Sequence, residues 1–393
     1  MKEINVAMIG QGFMGRSHSN AWSQVAKFFE PPIHPVMHTV FGQPAEKPEL
    51  FAKKWGWRNA ATDWESLVRS PAIGLVDIVT PNFMHSPPAR AAIAAGKPVS
   101  CEKPIAGTLD EAREMAQAAK KAGVKTAVWF CYRRCPAVAL AHQMVKAGEI
   151  GDIRHVRAHY LQDWADESVP LVWRFDKSLA GSGAHGDLNA HIIDLIRFVT
   201  GQEIAEICGS IAETFIKQRK KMTGGSGGGI GGTQEGSDEM GEVTVDDAVL
   251  FLARLSGGAI GSFEAARQAT GNQNRNFFEI NGTKGAIKFD FERMNELEYY
   301  DARSQRRTQG WTTIMCTHGS DHPYVANWWP DAHLIGYEHT FTNQAYDFLL
   351  DIAGKTPVVP VPTFEDGYQT QRVLEAALLS AEERRFINLD DVT

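Results

Sequence analysis

The stretch INVAMIGQGFMG, residues 4–15, decides the fold. Five of its first six residues are apolar, as expected of a strand buried on both faces. It runs directly into Gly10-x-Gly12-x-x-Gly15 and then into a helix-compatible segment. A strand, a glycine turn and a helix in that order suit the pyrophosphate of a dinucleotide. Gly10 and Gly12 let the backbone come close, Gly15 allows tight helix packing, and the helix N-terminus offers free N–H groups to an anion. Phe13 and Met14 open that helix, so the candidate cofactor contacts here are Gly10, Gly12, Phe13, Met14 and Gly15.

The alternation continues outward. Strand-like segments at 36–41, 75–79, 98–101 and 126–130 are interleaved with helical segments, 86–95 and 109–122 among them. This pattern predicts an α/β Rossmann domain, a doubly wound parallel sheet, over residues 1–130. Beyond 130 the pattern changes. After a helical segment, strand-like runs appear at 155–164, 248–255, 259–265, 276–280 and 286–290 without helices between the later ones. Residues 131–393 are therefore expected to form an α+β domain with a large, mainly antiparallel open sheet, closed by helices at 337–354 and 366–384. Two domains also suit a chain of 393 residues. Between strands lies 217–242, in which eight of the thirteen residues 224–236 are glycine. It lacks the ending of a P-loop and is expected to be a flexible loop, with the basic run 217–221 solvated at its edge.

Composition excludes some roles. A net charge of −7 argues against nucleic acid or an anionic membrane as partner. No apolar run approaches the ~20 residues of a membrane span, and MKE leads straight into a strand, with no room for a signal peptide. Five cysteines from Cys101 to Cys316 make no disulfide framework, and CYRRC (131–135) lacks zinc-site spacing. A cytoplasmic protein with free thiols and no metal is expected.

GAHGDLNAHIID, residues 183–194, holds two histidines and two aspartates. Leu188, Ile192, Leu195 and Val199 are helically spaced and Gly201 follows, which predicts a helix from about Gly186 or Asp187 to 200. Asp187, His191 and Asp194 then share one face. Three readings follow: polar residues of an ordinary helix, metal ligands (His185, Asp187, His191, with His318 or His322 recruited), or an acid–base set. An ordinary imidazole titrates near ~6.5 and accepts a proton near neutrality. The end of the second strand reads FGQPAEKPE, with Gly42 and Gln43 where an NAD site usually has an acid; Glu46 is a candidate substitute but lies beyond Pro44. NAD is favoured there, with NADP open.

TPNFMH (80–85) and KPVSCEKP (97–104), in order behind the glycine fingerprint, resemble the glucose–fructose oxidoreductase/inositol dehydrogenase (Gfo/Idh/MocA) family. The GDxxxxHxxD element of that family matches Gly186, Asp187, His191 and Asp194. The resemblance implies an NAD(P)-dependent oxidoreductase acting on a secondary hydroxyl of a sugar, sugar derivative or inositol. It places Lys103 between nicotinamide and substrate, makes His191 the general base, and gives Asp187 a supporting role. Thr80, Pro81, Asn82 and His85 would line the cofactor, and Glu102 would position its loop. YRRCPAVALA, HYLQDW and VWRFDKSLAGSGAHGD are similar to a branch of sugar and cyclitol dehydrogenases, which makes Tyr132, Arg133, Gln162, Trp173 and Arg174 candidates to line the substrate or the nicotinamide. The family also implies a homodimer or homotetramer formed through the open sheet. Cys131 stands where the family often has Asn, and His185 is not a family requirement. A glycosidase on the same fold, working by transient oxidation and elimination, and a non-catalytic sensor are the alternatives; Lys103, Asp187 and His191 together argue against the sensor.

Overall fold

The computed structural model describes residues 2–223 and 236–392, in two compact units. The first comprises the chain up to Cys131 together with Gly336–Gln369. Its sheet holds β1 (Lys2–Ile9), β2 (Ile33–Phe41), β3 (Asn59–Ala61), β4 (Leu75–Ile78), β5 (Val99–Cys101) and β6 (Thr126–Val128). All are parallel, in the order β3-β2-β1-β4-β5-β6, the doubly wound arrangement. Val6, Ala7, Met8 and Ile9 are wholly buried, as an apolar run covered on both faces must be. The helix Phe13–Phe28 presents His18, Ala21, Trp22 and Val25 inward at i, i+3, i+4 and i+7. The late helix Tyr337–Ile352 packs along it, with Tyr346 stacked on Phe29 at 4.6 Å, and Gln344 donates to the carbonyl of Val128 at 2.7 Å.

The second unit is built on a nine-stranded sheet containing β7 (Ile153–Leu161), β8 (Ile204–Glu213), β11 (Ala248–Leu255), β12 (Ile260–Ala266), β13 (Arg275–Gly282), β14 (Gly285–Asp290), β15 (Glu296–Asp301), β16 (Trp311–Met315) and β17 (Ile387–Asn388). The order is β16-β15-β14-β13-β7-β12-β11-β8-β17, antiparallel throughout except for the parallel pair β7 and β12. On one face Ile211, Leu250, Leu252 and Ile260 stand exposed, Leu250 directly opposite Ile211.

Two strands fall where a flexible loop is expected. β9 (Gln218–Met222) and β10 (Gly236–Glu242) pair antiparallel. Residues 224–235, the glycine-rich middle, lie outside the described residues. Nor is the basic run solvated throughout: Arg219 is buried, lies 4.0 Å over the ring of Phe175, and donates to the carbonyls of Ala165, Asp166 and Val169. A guanidinium with several donors can bridge carbonyls that a lysine could not reach together. The strap holds 165–175 over a small core of Ala165, Val172, Phe175, Val243 and Val245. Among the described residues no helix is long and apolar enough to cross a membrane, and the five cysteines carry free thiols.

Candidate functional site

In the first unit the glycine turn is shaped as the fingerprint requires. Gly10 sits at φ +110°, and a side chain there would press on the carbonyl of Val79 at 3.0 Å. A Cβ on Gly12 would meet nothing within 4 Å, which leaves the turn open to an incoming group. A Cβ on Gly15 would lie 3.4 Å from the carbonyl of Gly10, tight against the turn. The helix Phe13–Phe28 starts with no side-chain cap and no acid in its first turn, so nothing in it competes with or repels an anion. These features fit a dinucleotide pyrophosphate.

The turn after β2 brings Glu46 back to the strand end. Its carboxylate accepts the N–H of Gln43 at 2.7 Å, and Gln11 of the fingerprint donates to its carbonyl at 3.0 Å. A side chain on Gly42 would collide with Gln11 at 2.6 Å. The candidate substitute acid thus returns to the end of β2 by way of the turn Pro44–Glu46.

The TPNFMH and EKP segments are tied together by His85. Its ring is fully buried, with Nδ1 2.9 Å from the carbonyl of Pro104 and Nε2 2.9 Å from that of Thr80. Burial presses its pKa down, so the ring is neutral and its single N–H serves one of the two carbonyls. Glu102 accepts the N–H of Lys103 at 3.1 Å through one oxygen and lies 3.0 Å from Nε2 of buried His18 through the other. Nδ1 of His18 is 2.9 Å from Asp77, which also accepts from Trp22, Ser100 and Trp129. Lys103 itself is partly exposed.

In the second unit the aspartate–histidine segment starts differently from the regular helix expected. His185–Asn189 is a π-helical turn and the α-helix runs over Ala190–Thr200. The cause is Asp246, whose carboxylate accepts the N–H groups of Gly183 and His185, both at 2.8 Å. The chain packs so closely that a Cβ on Gly183 would lie 1.8 Å from the carbonyl of Asp246. His185 is a buried brace: Nε2 donates to the carbonyl of Leu374 at 2.9 Å, and Nδ1 accepts the amide of Asn189 at 2.8 Å. Among the described residues no group of three or more His, Cys, Asp or Glu side chains is arranged to hold a metal ion.

Each of the three polar residues of this segment meets its own partners. Asp187 has Arg174 at 3.6 Å and Arg267 at 3.7 Å, the latter fully buried. Asp194 is buried in a two-point pair with Arg133, at 2.8 and 2.5 Å. His191, 7% exposed, lies between aromatic rings, with Tyr132 at 4.6 Å and Tyr160 at 5.9 Å. The Tyr160 hydroxyl donates to the side-chain oxygen of Asn274 at 2.7 Å, so across the 2.9 Å contact Tyr132 is the donor to Tyr160. Gln162 donates to the same Asn274 oxygen at 2.7 Å and accepts the indole N–H of Trp164 at 2.8 Å. Trp173 and Arg174 lie in the short turn Trp173–Phe175, the guanidinium of Arg174 4.5 Å from the Trp173 ring.

The structure thus sets Tyr132, Gln162 and His191 with Tyr160 and Asn274, and Asp187 with Arg267, while Asp246 holds the start of the helix; Tyr160, Asn274, Arg267 and Asp246 are residues that the sequence alone did not single out. The contacts that bring them in join positions 61 to 114 residues apart in sequence, beyond the reach of spacing. His18 did carry a local sign, since a histidine on an otherwise apolar helix stripe needs a buried partner.

Residues 4–130 match the model of the "oxidoreductase family, NAD-binding Rossmann fold", and 138–288 that of the "GFO/IDH/MocA C-terminal domain". The levoglucosan dehydrogenase of Pseudarthrobacter phenanthrenivorans is 40% identical, covering 100% of both chains. A solved structure of levoglucosan dehydrogenase with NADH and L-sorbose superposes with a TM-score of 0.91 at 38% identity, over 99% of each chain. An oxidoreductase domain protein from Kribbella flavida superposes with a TM-score of 0.91 at 47% identity, over 99% of this chain and 100% of that one.

Proposed function

The chain belongs to the GFO/IDH/MocA oxidoreductase family, with its NAD-binding Rossmann domain, and on that premise we propose that it oxidises a secondary hydroxyl of levoglucosan or a related sugar. The observation that carries this reading is His191, an imidazole set between two tyrosine rings beside a network of hydroxyl and amide groups. Bound NAD supplies the two-electron acceptor for the carbon-bound hydrogen. Gly10, Gly12 and Gly15 with the N–H groups at Phe13 and Met14 receive its pyrophosphate, Thr80, Pro81 and Asn82 flank it, and Glu46 takes the ribose hydroxyls. That last contact favours NAD, because a 2′-phosphate would meet a carboxylate. His191 removes the hydroxyl proton and Lys103 donates to the oxygen, stabilising its alkoxide character. Asp187, with the guanidiniums of Arg174 and Arg267 beside one of its oxygens, is an acceptor for a substrate hydroxyl. His85 and Glu102 hold the loops on which these contacts stand. The Arg133–Asp194 pair fixes the His191 helix, and Gln162, Trp173 and Tyr132 border the sugar.

A spectrophotometric screen of levoglucosan, L-sorbose, other sugars and inositols, with NAD and NADP separately, tests the proposal. Accumulation of NADH with a sugar, and a clear preference for NAD, is the expected result. Cleavage of glycosides without accumulation of NADH would establish the oxidation–elimination glycosidase instead.

The exposed row Ile211, Leu250, Leu252 and Ile260 supports assembly of copies through the open sheet. Leu252→Arg is expected to shift the mass measured by light scattering to that of a smaller assembly. An unchanged mass would remove this face from the interface.

A further inference from the structure

We propose that His18, on the helix that follows the fingerprint, is a positioning residue for Lys103, acting as an imidazolium that fixes the Glu102 carboxylate on which the Lys103 backbone N–H rests. The inference rests on the role given to Lys103 above. The geometry is a relay within the first unit: Asp77 to Nδ1 of His18 at 2.9 Å, Nε2 to Glu102 at 3.0 Å, and the second Glu102 oxygen to the N–H of Lys103 at 3.1 Å. Both nitrogens of the ring face carboxylate oxygens, and two negatively charged acceptors, unlike the neutral carbonyls around His85, draw a proton onto each nitrogen. The ring is completely buried against Trp129, with centroids 4.1 Å apart, and near Phe341 at 5.5 Å, so it has no alternative orientation in water.

The charge balance agrees. The titratable groups around the relay are Asp77, Glu102, Cys101 and His85. Burial pushes the Cys101 thiol well up and the His85 ring down, and both are neutral. Trp22, Trp129, Ser100 and Phe341 contribute no charge. His18 therefore faces two carboxylates alone, and although burial opposes it, their combined pull raises its pKa from 6.5 to about 9. Asp77 is correspondingly lowered, against its own burial, by the His18 charge and the hydrogen bonds it accepts. With the folded value above the unfolded one, the stabilisation from His18 is complete below pH 6.5 and is lost as pH rises through about 9.

A protonated relay gives the backbone of Lys103 a fixed footing for its long side chain, and its loss lets the EKP segment relax. Wild-type kcat should therefore fall with an alkaline limb near pH 9. His18→Gln should lower kcat ~10-fold or more, the scale at which displaced catalytic groups are felt, with NADH affinity by fluorescence titration within about threefold of wild type. Its pH profile should lose the limb. Glu102→Gln should cost a similar factor, and the double variant no more than either single one, because both break the same relay. The rate of acetylation of Lys103, read by mass spectrometry at one pH, should change in His18→Gln; that readout needs no turnover. Altered labelling in a protein that oxidises no sugar would overturn the functional reading and leave the relay standing. A flat wild-type kcat across pH 8–10, unchanged kcat and labelling in His18→Gln, or costs that simply add in the double variant would overturn the relay. Should His18→Gln fail to fold, the wild-type profile and Glu102→Gln decide alone.

Discussion

His191→Ala is expected to lower kcat by ~10²–10⁴-fold, the usual share of general acid–base catalysis, with NAD binding close to wild type. The two effects separate because His191 belongs to the second unit while the glycine turn belongs to the first. The ring is nearly buried and touches Tyr132 and Tyr160, so its removal also leaves a void. A void costs stability, and a shift in melting temperature alone would therefore prove nothing. His191→Gln fills most of the space and keeps hydrogen-bonding capacity without a titratable nitrogen. If the residue is the base, both variants lose kcat by comparable factors. The acid limb of kcat/KM is the sharper criterion. A base works deprotonated, so wild-type activity falls as pH drops through the pKa of the free enzyme's base, and that limb should vanish in both variants. Wild-type kcat in either would eliminate His191 as the base.

The same helix shows where reading by spacing reaches its limit. The expected helical phase gathered Asp187, His191 and Asp194 on one face as a single set. In the fold Asp194 is committed to Arg133, Asp187 to Arg174 and Arg267, and His191 to the two tyrosines. Buried charges need partners, and those partners come from distant segments that no local pattern names. The π-helical start was equally hidden, since it depends on a carboxylate at 246 capping N–H groups at 183 and 185. By contrast the parallel sheet of the first unit was legible, because strand, turn and helix in INVAMIGQGFMG are neighbours in sequence and their signals are local. The helix Tyr337–Ile352 was not, since it belongs to this unit although its position in the chain assigned it to the second domain. The 217–242 segment failed for a reason of composition. Its glycines dominated the average and concealed the strand arms on either side, of which β9 carries the buried Arg219. Glu46 stands in the sequence as a candidate substitute acid, but Pro44 before it reads as an exit from the strand end when it in fact opens the short turn Pro44–Glu46 that brings the acid back.

Lys103→Met should lower kcat by ~10²–10³-fold, the loss associated with one donor aimed at a developing oxyanion, about 2.7–4 kcal/mol of barrier. Methionine keeps an unbranched stem of similar length and removes the charge together with the N–H donors, so the comparison separates the ammonium's polar role from packing. Stability should barely change. The relay of His18, Asp77 and Glu102 uses the backbone N–H of residue 103, which the variant retains, and the side chain is partly exposed. A melting temperature within a few degrees of wild type is therefore expected. The division between kcat and KM carries the mechanistic content. A donor that meets substrate and transition state equally would raise KM and spare kcat, whereas one that strengthens as alkoxide character develops lowers kcat. Lys103→Arg adds a second test. Its charge is retained, but the planar guanidinium cannot place a compact ammonium at the same point, so it should recover only part of the loss. Full recovery by arginine would reduce the requirement to positive charge alone, and kcat within about threefold of wild type in Lys103→Met would remove Lys103 from the chemical step.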